Sequence, residues 1–122
     1  MDKLIRTEEQ FIDDLTAAGL TFIGTRMADM LSKAQKLEDS IFISDLAEEY
    51  FKNQIETKDT LVSSTRTKVY AVSRIIRSAR VIDALKAVIN SQHHGVSPVA
   101  KKAAAECLQD IYDGKIGLPL LL

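Results

Sequence analysis

Three observations predict an all-α fold: apolar residues recur at three- and four-residue spacing, one long stretch lacks glycine and proline, and turn residues separate the periodic runs. The expected architecture is a small bundle of four to five helices around a long central helix, with an extended C-terminal tail. A chain of 122 residues, 46% hydrophobic and 27% charged, fits a single helical domain over 1–122 whose core needs no disulfide or metal.

The elements follow in order. Thr7 and Gln10 have capping-box spacing, and Glu8 and Glu9 lie where a helix N-terminus favours anions, so a helix is expected over 8–18 with Gly19 as its left-handed cap. Leu20 to Ile23 is a brief apolar stretch. Thr25 then caps a second helix over 25–37, with Met27, Met30, Leu31 and Ala34 as adaptable core filler. Asp39 or Ser40 starts a third over 40–55, apolar through Phe42, Ile43, Leu46, Ala47, Tyr50 and Phe51. Lys58 to Ser64 is a loop.

The central helix is expected over 65–91. Its first half clusters Val69, Val72, Ile75, Ile76 and Ala79. Val81, Ile82, Leu85, Val88 and Ile89 centre on a face rotated by about a quarter turn. Either the helix bends near Ser78 to Arg80, or its halves pack against different neighbours. Gly95 and Ser97-Pro98 then mark a turn and the start of a last helix over 98–112, slim through its alanines and able to lie close to the central helix. Asp113-Gly114 ends it. Residues 115–122 form an apolar tail that Pro119 keeps from continuing the helix.

Charge is segregated although the net is only −1. Residues 38–59 hold seven acids, Glu48 and Glu49 among them, against two lysines, whereas residues 60–122 hold nine bases against four acids. These regions pair within a subunit, pair between copies, or remain two solvated faces. Arg66, Ser73, Arg77 and Arg80 share one face of the central helix, where the guanidinium groups must meet solvent, carboxylates or phosphate.

No phosphate-binding loop, dinucleotide fingerprint, nucleophile elbow or zinc signature is present. Cys107 falls in an apolar pattern and reads as a buried small hydrophobe. His93 and His94 are adjacent in a turn with no further ligand at metal spacing, so neither a metal nor another cofactor is expected. No run is long enough to span a bilayer, and MDKLIRTEEQ lacks the apolar centre of a signal peptide, so a cytosolic product with no membrane partner is expected.

The ending AAAECLQDIYDGKIGLPLLL, after a basic helix and a short loop, resembles the small head–tail connector, or adaptor, proteins of tailed bacteriophages and prophages. Members often close with an amphipathic helix of the form xxxLxxIxxGKxxLP. Leu108, Ile111, Gly114, Lys115, Ile116, Leu118 and Pro119 stand at those places. The resemblance implies a non-enzymatic virion protein, made in the host cytoplasm, that forms a ring, commonly of twelve copies, beneath the portal in the neck. The portal and other neck or tail proteins are then its partners, and DNA passes through the channel without sequence-specific binding.

On this reading the expected subunit-interface residues are Arg66, Arg77, Arg80, Glu48, Glu49, Ile116, Leu118, Leu120 and Leu121. The tail either folds back along its own bundle or inserts against a neighbour. Two alternatives are a small cytosolic helical regulator and a helix-turn-helix DNA binder built on residues 84–105, although the last helix offers few bases to a groove.

Overall fold

A computed structural model describes all residues 1–122 and contains helices and no strand. In order they are α1 (Glu8–Ala18), α2 (Leu20–Ser32), a single 3₁₀ turn (Ala34–Lys36), α3 (Ser40–Lys52), α4 (Val62–Arg77), α5 (Val81–Ile89) and α6 (Pro98–Tyr112). No helix is long and apolar enough to cross a membrane.

α1 is closed at its start by the capping box: the Gln10 amide donates to Thr7 Oγ1 at 3.1 Å, and the Thr7 amide donates to Gln10 Oε1 at 3.0 Å. Gly19, at φ 77 and ψ 138, is a corner rather than an αL cap, and α2 leaves directly from it. The second helix therefore occupies 20–32 and not 25–37. Thr25 is no cap; its hydroxyl donates back to the Thr21 carbonyl at 3.0 Å in the helix interior. This register buries Phe22, Ile23, Met27, Met30 and Leu31 together.

α3 begins under Asp39, whose carboxylate accepts from the Ile41 and Phe42 amides, and it stops at Lys52 instead of 55. The loop that follows is pinned by Gln54, whose side-chain amide both donates to the Asp59 carbonyl (2.8 Å) and accepts from the Asp59 amide (2.7 Å). Asp59 then receives the Thr65 hydroxyl and the Lys68 ammonium, each at 2.7 Å, which fixes the first turns of α4.

The expected single central helix is two helices. α4 ends in a Schellman motif, with the Arg80 amide donating to the Ile75 carbonyl at 3.1 Å and the Ala79 amide to Ile76 at 3.2 Å. The motif requires a left-handed residue, and Ala79 fills the position at φ 62. Arg80 caps the new helix, α5, and each half finds its own neighbours: α4 lies between α1 and α3, and α5 lies against α6 and α2. The change of apolar face at Ser78 to Arg80 thus marks a break.

α6 packs on α2 and on α5, the second half of the expected central helix, and comes close to α2 at Gly24, where an added Cβ would stand 2.5 Å from the Ala100 carbonyl oxygen. Ala100 and Ala104 are fully buried, so small residues on both helices set this approach. α6 ends in a second Schellman motif, from the Lys115 amide to Asp110 at 2.8 Å, with Gly114 at φ 75. Residues 115–122 carry no regular secondary structure.

Two substitutions test this packing by urea unfolding. Gly24→Ala overfills the α2–α6 contact and is expected to destabilise by about 1–3 kcal/mol. Ala79→Gly relieves the left-handed alanine, worth about 1–2 kcal/mol, against about 0.4–1 kcal/mol of added freedom in the unfolded chain, so a net gain of about 0.5–1 kcal/mol is expected.

Candidate interaction surface

Of the four residues that share a face around α4, Ser73 is buried and donates to the Leu37 carbonyl at 3.2 Å. Arg80 is satisfied within the chain: Nη1 lies 2.8 Å from Glu8 Oε2, Nε lies 2.7 Å from Asp83 Oδ2, and the guanidinium stands 3.8 Å over the Phe11 ring. Its hydrogen bond to Glu8 raises its pKa, burial opposes that rise, and Asp83 adds to it. Arg80 therefore fastens α5 to α1. Arg77 reaches Glu38 only at 3.8 Å, and Arg66 has no ion-pair partner; the Nε of each is buried without a hydrogen bond inside the chain.

The acids on the outer face of α3 have no partner in the chain. Glu48 and Glu49 are exposed on the outer face of α3 and take part in no ion pair of the chain, and the same holds for Asp45. The two charged regions form ion pairs inside one chain only at Asp59–Lys68 and, loosely, at Glu38–Arg77.

The tail folds back. Ile116 packs against the core, and the Lys3 amide donates to the Leu122 carbonyl at 3.0 Å while the Leu122 amide donates to Met1 at 3.1 Å. The Leu4 amide donates in turn to the Arg77 carbonyl at 2.9 Å, so tail, N-terminal arm and the end of α4 are stitched together. Pro119 and Leu121 are half-buried. Leu118, Leu120 and Leu122 are 45%, 77% and 83% exposed, and Ile5 on the neighbouring arm is also exposed. Between the tail and the α4–α5 junction lies an apolar cavity of about 300 Å³, lined by Ile76, Ala79, Val81, Ile82, Leu118 and Leu121 among others.

No family model, curated protein or solved structure matches this chain. What the surface can do follows from its own chemistry. No three His, Cys, Asp or Glu side chains stand together as a metal site. Cys107 is buried, and burial pushes its thiol up to about 11 with a smaller push from Asp110, so it is a poor nucleophile at neutral pH. The exposed rings of His93 and His94 stack at 5.2 Å, and His93 Nδ1 accepts from the Gly95 amide at 3.0 Å, which shapes the turn before α6.

Two polar clusters escaped the sequence reading. Asp14, fully buried on α1, accepts from Arg6 (3.1 and 2.8 Å) and from Arg74 (2.8 Å), tying the N-terminal arm, α1 and α4 at one carboxylate. Tyr50 on α3 donates its hydroxyl to Asp29 on α2, beneath the Arg26 guanidinium 4.1 Å from its ring. Burial and that hydrogen bond raise the Tyr50 pKa, so its proton stays in place. Partial burial pushes the Asp29 carboxyl up, but hydrogen bonds from Lys33 and Tyr50 outweigh it and hold the group below its ordinary value of 3.8.

A carboxylate whose folded-state pKa is depressed adds stability above its unfolded pKa and loses it as pH falls through the folded value. Asp29→Asn is accordingly expected to lower the urea midpoint near neutrality, with the gap to the parent chain narrowing once pH drops below 3.8. A gap of constant size across that range would remove Asp29 from the α2–α3 contact.

Proposed function

We propose that this chain is a non-enzymatic assembly subunit: a head–tail connector that forms a ring of identical copies under the portal, in the neck of a tailed phage. The observation that carries the reading is the build of the C-terminal unit. Leu108 and Ile111 turn inward on α6, Gly114 stops the helix in a left-handed conformation, Ile116 anchors against the core, and Leu118 opens an apolar ending whose alternate leucines face outward. These are the positions on which the resemblance to connectors rests.

The charges support the same reading. Glu48 and Glu49 on α3 and Arg66 on α4 find no ion-pair partner in their own chain, as side chains used between copies would not. In the ring these meet neighbouring subunits, other faces meet the portal and the next neck proteins, and DNA crosses the channel without being read. A helix-turn-helix reading has less support: residues 90–97 make a longer connection than the motif's turn, and the exposed side of α6 mixes Lys102 with Glu106 and Gln109.

Mass spectrometry of particles purified from cells that carry the gene is expected to find the chain at a fixed ratio to the portal protein. Intact particles that lack it would overturn the connector reading and favour a cytosolic regulator.

A further inference from the structure

The C-terminal segment and the groove at the α4–α5 break are complementary surfaces that every copy carries, and their fit inside one chain is incomplete. The groove lies where Ala79 stops α4, and its lining runs from buried Ile76 and Val81 to exposed Ala79 and half-buried Ile82. The segment lines it with Leu118, Pro119 and Leu121, and the space between the two, about 300 Å³, is open in part to solvent. Leu120 and Leu122 meanwhile face solvent, Leu118 is only partly covered, and only two main-chain hydrogen bonds hold the segment's end.

We propose that residues 117–122 exchange between copies, each segment seating on the α4–α5 groove of the next subunit. The occupant is a second copy because the groove already takes this same segment. The exchange re-forms the intrachain contacts between chains, so it forfeits no fit, and it places the three outward leucines between two bodies instead of in water. The joint for it is built in. Gly114 holds positive φ after α6, and Gly117, where even an added Cβ would meet nothing within 4 Å, gives the backbone before Leu118 glycine's wide choice of dihedrals. Segment and groove are different patches, so the contact runs head to tail, and such a contact closes into a ring when its rotation permits.

This inference rests on the assembly reading above. Its test uses Ile82→Cys in the groove and Leu121→Cys in the segment, made singly and together in the full-length chain. The parent chain, whose one thiol Cys107 is buried, is the blank. A short bismaleimide applied to the double variant at high dilution is expected to link groove and segment within one chain, which establishes that the two thiols lie in reach. An equimolar mixture of the single variants, one isotopically heavy, is expected to yield a cross-linked heterodimer that grows with protein concentration.

Deleting residues 118–122 from the parent is expected to abolish any multimer seen by native mass spectrometry while the monomer keeps its helical circular dichroism. Multimers that form without the heterodimer would overturn the exchange and leave the assembly reading standing. A chain that links only within itself at every concentration would also overturn the exchange, and particle content then judges assembly separately.

Discussion

The left-handed alanine at position 79 is the constraint on which the arrangement of this fold depends. Schellman hydrogen bonds from Ala79 and Arg80 end α4 at a fixed point, and without them the apolar residues of α4 and α5 would lie on one rod with two faces that no single neighbour could cover. With the break, each stripe meets its own partners. α1 and α3 cover the first half, and α2 and α6 cover the second. Arg80, the first residue beyond the stop, fastens the new direction by reaching Glu8 on α1 and Asp83 on its own helix.

The same break connects fold to surface. It opens the groove that the C-terminal segment enters, and it presents the Arg77 carbonyl to the Leu4 amide, so both ends of the described chain are gathered over one junction. α3 packs along α4 and turns its outer acids to solvent, where they stay unpaired. An apolar ending on one side and free carboxylates on another are two different kinds of contact surface, which suits a subunit that touches more than one neighbour.

Much of the helical layout was legible in the sequence because its signals are local. The capping box at Thr7, the Ser97-Pro98 start and the Gly114 stop are side-chain and backbone preferences that act within a turn, and α1 and α6 have the expected bounds. The start of α2 was missed because Thr25 has the chemistry of a cap, while burial of Phe22 and Ile23 with Met27 pulls the helix back to Gly19. The change of apolar face around Ser78 to Arg80 was visible. A bend there was one of the two readings, but a full stop was not legible, since alanine is a strong helix former and yet stands here at φ 62.

The charged surface was legible in part. Segregation of acids and bases could be counted along the chain, but pairing is a property of space. Arg80 found Glu8 and Asp83, and the carboxylate that matters most inside, Asp14, sits in a helix whose pattern gives no sign that Arg6 and Arg74 converge on it.

Whether α4 and α5 are separate helices is open to one direct distance. Nitroxides at Thr67→Cys and Lys86→Cys, both at exposed positions, would lie about 28 Å apart along the backbone of an unbroken helix at 1.5 Å per residue. Because Lys68 and Ala87 line one groove, pulsed electron paramagnetic resonance is expected to give a single distribution centred well below that length. A distribution at the length of the continuous rod would contradict the break at Ala79, and with it the groove and the seat of the C-terminal segment.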